Sequence, residues 1–260
     1  MPSGGPGERA TDDGGPAVRC FLAGNPGPLT FDGTRSYVVG ERLAAVIDPG
    51  PLLDRHLAAL AAAVEPAGEV VVLVTHGHGD HAAGAGDLAR RIGAEVWGPG
   101  AGRVVGDGQE FPTDCGPLVA VATPGHSRRH FCYHLPGQCA VFTGDVVLGE
   151  GDTTWVGEYR GGVADYLASL DRLDALAPRI LYPGHGEPLR DGAEGVARFR
   201  RHRLTRIDQV RRAVARTGST DARALARHVY GPLPPDLFGM AVSGVEGILD
   251  YLSGSGYAYP

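Results

Sequence analysis

Residues 70–84 read VVVLVTHGHGDHAAG. Five consecutive apolar residues, 70–74, lead through Thr75 into His76, Gly77, His78, Gly79, Asp80 and His81. The apolar run predicts a buried strand, so the polar residues after it stand where that strand leaves the core. In an extended or looped segment, residues two apart project to one side. His76 and His78 can therefore grip one ion together, while Asp80 and His81 lie further round the turn and point toward a second. Imidazole and carboxylate suit Zn²⁺ and related first-row ions. Four such side chains in six positions exceed what one ion draws from one loop, and the density predicts two ions sharing it.

A two-ion site needs donors from elsewhere, and three stretches offer them in the same setting. ATPGHS (122–127) puts His126 in a Pro-Gly turn after an apolar run, AVFTGD (140–145) puts Asp145 past a strand and a glycine, and ILYPGHGE (180–187) repeats strand, Pro-Gly and His185. Donors at strand ends on one rim converge, and rigid strands hold them there. His56, His130, His134, His202 and His228 lack this context and read as hydrogen-bonded surface or core histidines.

Other short apolar runs bounded by Gly or Pro predict strands at 18–22, 36–39, 43–47, 94–97, 118–122, 130–135, 139–143 and 179–182. Helical spacing predicts helices over 48–68, 82–92 and 163–176. Strands come in runs with helices between them, which is sheet-rich α/β layering rather than a regular βαβ repeat. Past about Gly192 strand-like runs almost vanish, and 192–218, 220–231 and 237–256 read as helices. Val196, Phe199, Ile207, Val210 and Val214 form the apolar stripe of the first, with arginines opposite. The expected organisation is a lead-in over 1–17, a catalytic unit over 18–190 and a helical unit over 191–260.

Composition narrows the chemistry. All 24 basic residues are arginine, which removes Schiff-base chemistry and any lysine base. Residues 190–230 hold 11 of those arginines against 4 acidic residues, although the whole chain carries a formal charge of -6. A charge-dense helix face is ordinarily solvated; its functional alternative is a landing site for a polyanion, with Arg200, Arg201 and Arg203 as contacts. Residues 1–17, Gly/Pro-rich and charged, have no apolar core of a signal peptide and read as disordered. No run of about 18 apolar residues occurs, so no membrane span is expected. The four cysteines contain no CxxC pair and read as reduced, mostly buried thiols, which predicts a cytoplasmic protein.

THGHGDH, the isolated His126, the TGD aspartate and the PGHG histidine resemble, in that order, the motifs of the metallo-β-lactamase superfamily over roughly residues 18–190. The resemblance implies an α/β fold, the αββα sandwich, with a dinuclear site on its rim. Metal one would take His76, His78 and His126; metal two would take Asp80, His81 and His185; Asp145 would bridge them. Two divalent ions, Zn²⁺ or else Mn or Fe, would supply a bridging hydroxide at neutral pH. Asp145 would hold both ions and Asp80 would orient the nucleophile. The segment FTGDVVLGEGDTTWVGEYRGGVADYLASLDRL and the tail HRLTRIDQV resemble the lactamase-beta-2-like subgroup, in which the tail forms a small winged-helix-like domain. Two departures fall near the substrate side. Ser127, Arg128, Arg129 and His130 stand where relatives often carry a small or acidic stretch, and Arg35 stands where they commonly carry Asn. Arg128, Arg129 and His130 are the candidate substrate contacts, and His130, Tyr133 and Tyr182 the candidates for supporting the ligands.

That subgroup contains thioesterases that act on carrier-bound acyl chains and a single-strand endoribonuclease. The first expectation is hydrolysis of a small-molecule or carrier-bound ester or thioester. The second is RNA cleavage, with the arginine-rich helix tracking the backbone and binding weakened by salt. The acidic catalytic region and an aromatic content of 7% count against it, since base stacking needs interleaved aromatics. A sulfur dioxygenase with one iron and a non-catalytic interaction module complete the alternatives.

Overall fold

The computed structural model describes residues 8–9 and 18–255. Most of the expected lead-in, 1–7 and 10–17, lies outside the described residues, as do 256–260. Strands β1 (Glu8–Arg9), β2 (Val18–Leu22), β3 (Arg35–Val39), β4 (Leu43–Ile47), β5 (Glu69–Leu73) and β6 (Glu95–Trp97) form one sheet in that order. Strands β7 (Glu110–Phe111), β8 (Leu118–Ala122), β9 (Phe131–Leu135), β10 (Ala140–Gly144) and β11 (Ile180–Pro183) form the second, ordered β11-β10-β9-β8-β7. The helices are α1 (Asp54–Val64), α2 (Gly79–Ala82), α3 (Ala85–Ile92), α4 (Gly162–Ala175), α5 (Gly192–Thr217), α6 (Ala222–Tyr230) and α7 (Pro235–Gly254).

Three apolar layers order these elements as helix, sheet, sheet, helix. Leu57, Leu60 and Leu88 of α1 and α3 cover the outer face of the first sheet through Val38, Val46 and Val72. Tyr37, Ile47, Leu73, Tyr133 and Phe142 fill the space between the sheets. On the far side, one cluster runs from Cys132 and Val141 through Leu170 and Leu173 of α4 to Phe199, Val210, Val245 and Ile248 of α5 and α7. The expected αββα layering is the observed one. Residues 191–255 contain three helices and no strand, and among the described residues no helix is long and apolar enough to cross a membrane.

Strand direction decides where the site forms. β4 and β5 pair in parallel, as do β10 and β11, and β8 and β10 both run antiparallel to β9. The C-terminal ends of β4 and β5 therefore share one edge of the first sheet, and those of β8, β10 and β11 share one edge of the second. The backbone stitches these edges together: Phe131 N–H donates to Thr75 O at 2.8 Å, and Arg35 N–H to Gly184 O at 2.7 Å.

Three local features depart from the sequence expectation. The helix expected over 48–68 starts only at Asp54, because Asp48 turns out of β4 with φ 49° and Pro51 restricts the chain after it. The helix expected over 82–92 is two helices, and Asp80 and His81 lie inside the first rather than in a loop. Arg203, expected on the solvated face of α5, is 5% exposed. α5 packs against α4 on one side and α6 and α7 on the other, so its buried arc is wider than one apolar stripe. Of the four free cysteines, Cys20 and Cys132 are buried, Cys115 is half-buried and Cys139 is exposed.

Candidate metal centre

All seven residues singled out as metal ligands come together at the meeting edges. His76 and His78 follow β5, Asp80 and His81 sit on α2, and His126, Asp145 and His185 follow β8, β10 and β11. Their donor atoms fall into three overlapping groups: His76, His78 and His126; Asp80, His81 and His185; and His76, His81 and Asp145 between them.

The outer nitrogen of each ring fixes its tautomer. His126 Nδ1–H donates to Trp155 O at 3.0 Å and His185 Nδ1–H to Gly33 O at 3.3 Å. His81 Nδ1–H donates to Asp48 Oδ2 at 2.8 Å. His76 Nδ1–H donates to Thr75 Oγ1 at 3.0 Å, because the Thr75 hydroxyl is spent on Asp48 Oδ2 at 2.8 Å. Carbonyl and carboxylate oxygens only accept, so in its neutral form each of the four rings carries its hydrogen on Nδ1 and its lone pair on Nε2. Those lone pairs converge. His76 Nε2 lies 3.0 Å and His126 Nε2 3.1 Å from His78 Nδ1, and His81 Nε2 lies 3.2 Å from His185 Nε2.

Asp145 stands across this gap. Its Oδ1 is 3.3 Å from His81 Nε2 and 3.5 Å from His185 Nε2, and its Oδ2 is 3.6 Å from His126 Nε2. Oδ1 is buried with no hydrogen-bond partner. Asp80 Oδ2 lies 3.2 Å from His185 Nε2. Buried lone pairs and carboxylates that face one another repel unless a cation sits among them. The donor set of five imidazoles and two carboxylates therefore fits first-row divalent ions.

The titration behaviour points the same way. Burial lowers His76 and His126 below the ordinary imidazole value. Burial also works against His81, but Asp145 and Asp48 outweigh it and hold His81 well above that value. Burial would raise Asp145, yet His81, His185 and His126 hold it well below the usual carboxylate range. Asp145 with its neighbouring carboxylates thus favours positive charge on the His81 and His185 side of the cluster.

Space at the site is set by Gly184. A Cβ there would lie 2.5 Å from His81 Cε1 and 2.8 Å from Asp145 Oδ1, so a side chain would fill the gap between ligands.

The supporting candidates divide. His130 is 1% exposed and closed off behind the cluster. Its ring stacks on His76 at 5.0 Å, its Nε2 accepts from the Asp145 backbone N–H at 3.3 Å, and its Nδ1 pairs with Thr123 Oγ1. It braces His76 and Asp145 and presents almost no surface to solvent. Arg128 and Arg129 are exposed; the Arg128 guanidinium covers the Tyr159 ring at 4.4 Å. Tyr133 and Tyr182 are core residues: Tyr133 donates to Val74 O, and Tyr182 stacks on Phe142. Among the described residues His56, His134, His202 and His228 join none of the three groups. Sequence reasoning missed Asp48. Its signal was the DPG turn at 48–50 after the apolar run 43–47, the same strand-then-turn setting as the ligands.

The sequence profile of the Metallo-beta-lactamase superfamily matches residues 29–103 and 93–185. This chain belongs to the metallo-beta-lactamase superfamily. Its relatives in the superfamily include an atrochrysone carboxyl ACP thioesterase of Aspergillus fumigatus, 34% identical over 85% of this chain and 76% of that protein. A beta-lactamase-like protein 2 homolog of Caenorhabditis elegans is 29% identical over 92% of this chain and 85% of that one. The superfamily fold recurs in a metallo-beta-lactamase family protein of Thermus thermophilus, with a TM-score of 0.77 at 21% identity, covering 93% of this chain and 94% of that one.

Proposed function

We propose that this chain is a metal-dependent hydrolase of acyl thioesters, with an acyl group on a carrier protein as its substrate class. The observation that carries the reading is the convergence of four Nε2 lone pairs and the orphaned Asp145 Oδ1, together with likeness to a carrier-protein thioesterase over most of the chain. His76, His78 and His126 would hold one ion and Asp80, His81 and His185 a second, with Asp145 placed to serve both. Bound divalent ions supply an activated water at neutral pH and polarise the substrate carbonyl. Asp80, half-exposed on α2, orients the water. Residues 18–190 form the catalytic unit and 191–260 an appended helical unit, and the four free thiols suit a reducing cytoplasm.

Arg128 and Arg129, exposed two and three residues past His126, are suited to meet the phosphate of a carrier's prosthetic group. The ribonuclease alternative gains no comparable support. On α5, Arg200 pairs with Asp171, Arg201 with Glu194, and Arg211 and Arg212 with Asp208, while Arg206 lies over Tyr230.

The test is metal analysis of the purified protein followed by turnover on an acyl-carrier protein, an acyl-coenzyme A, lactoylglutathione, single-stranded RNA and a cephalosporin. Two ions per chain and thioester turnover are expected. One iron per chain, or cleavage of RNA alone, would replace this reading, and a metal-loaded protein inert on every ester would end it.

A further inference from the structure

Arg203 is a buried cation with one strong contact. Its Nη2 donates to Thr154 O at 2.7 Å, its guanidinium lies 5.1 Å from the Tyr166 ring, and its Nε has no hydrogen-bond partner. If this position served packing alone, an apolar residue would be the more stable occupant, since an incompletely paired buried charge is costly. What Arg203 touches explains its presence. The segment it grips is the one that holds His126: Thr154 Oγ1 lies 3.2 Å from His126 Nδ1, and the adjoining Trp155 O accepts the Nδ1 hydrogen.

A second, independent contact grips the same segment from α7. Trp155 Nε1–H donates to Met240 O at 3.2 Å and to Ser243 Oγ at 3.1 Å. The Trp155 ring stands edge-on to His126 at 6.3 Å. Tyr166, beneath Arg203, donates its hydroxyl to Val146 O at 2.9 Å, next to Asp145. α5 thus reaches the backbone of the segment that holds His126, α7 reaches the Trp155 side chain of the same segment, and Tyr166 of α4 reaches the backbone next to Asp145.

We propose that Arg203 and Trp155 are positioning residues that make α5 and α7 part of the metal centre. Between them they fix residues 154–155 so that the Trp155 carbonyl holds the His126 imidazole with Nε2 facing the cluster. The inference rests on the reading of His126 as a metal ligand. Outer partners of this kind set ring orientation and ligand basicity.

The experiment loads wild type, Arg203→Met, Arg203→Lys, Trp155→Phe and, as a control on the exposed face of α5, Arg212→Gln with Co²⁺. It measures the dissociation constant by chelator competition, the visible absorption of the bound ion and the melting temperature of the metal-free protein. Arg203→Met and Trp155→Phe are expected to weaken Co²⁺ binding by about 10–100-fold and to alter the visible bands. Arg203→Lys should recover part of the loss, and Arg212→Gln should match wild type. Wild-type affinity and bands in both Arg203→Met and Trp155→Phe overturn the proposal. If metal-free Arg203→Met does not fold, Trp155→Phe, which keeps an aromatic ring but loses the pyrrole ring with its N–H donor, decides on the same criteria. A wild type that takes up no Co²⁺ removes the ligand reading itself, and the proposal with it, an outcome distinct from unchanged variants.

Discussion

Asp48 accepts the Nδ1 hydrogen of His81 at 2.8 Å, and the same oxygen accepts from Thr75, the residue that orients His76. One buried carboxylate thus sets two ligands. Asp48→Asn retains the shape and replaces one acceptor oxygen by a donor: at Oδ2 both of these bonds fail, and at Oδ1 the bond from the Thr75 backbone N–H fails. Metal affinity is expected to fall by about 10–100-fold, read by chelator competition, with the fold retained by circular dichroism. Unchanged affinity would mean that Asp48 serves only the Thr75 turn.

Removal of a ligand should be more severe. His78→Ala takes the Nδ1 that faces both His76 and His126, and Asp145→Ala takes the carboxylate that faces both groups. Each variant is expected to lose more than the ~100-fold in affinity typical of an outer partner and to lose turnover, measured by metal content and thioester hydrolysis. Full turnover with full metal content in either would refute the two-ion reading.

Gly184→Ala changes no ligand yet adds a methyl 2.5 Å from His81 Cε1. Overpacking of this kind costs about 1–3 kcal/mol, which places the expected loss of metal affinity at about 5–150-fold. Equal affinity in titration calorimetry would show that the rim yields without cost.

His56 provides a pH test away from the ligand rings. It is 7% exposed, its Nε2 lies 2.8 Å from Ser36 Oγ, and burial lowers its pKa from 6.5 to about 4. A depressed histidine favours the neutral folded form, so its contribution is complete above about pH 6.5 and is lost as pH falls toward 4. The full difference corresponds to roughly 3 kcal/mol. In chelator-treated protein, His56→Asn should therefore flatten the fall in urea stability between pH 6.5 and 4. A parallel fall in both proteins assigns the acid sensitivity to other groups.

The sequence made the ligands legible because their setting is local. An apolar run, a glycine and a donor recur at β5, β8, β10 and β11, and a donor past a strand end is visible without knowing the partner strand. The same runs made the sheet-rich α/β character legible, while the αββα order was what the family resemblance implied. What stayed hidden depends on distance along the chain. Asp48 becomes a support for His81 only when β4 pairs with β5. His130 looks like an ordinary strand residue until it stacks on His76. Arg203 sits in an arginine-rich helix whose pattern turns it to solvent, and only packing by α4, α6 and α7 from several sides turns it inward. The two-residue strands β1 and β7 carry too little periodicity to read.

The donors come from two sheets, four from the end of β5 and the helix after it, and three from the ends of β8, β10 and β11. An ion seated among them is a rivet through the seam of the sandwich. It would join chain segments as far apart as His76 and His185, and would favour the folded chain, which alone assembles the full donor set. Its binding energy would then also keep the two halves of the sandwich from parting at the rim.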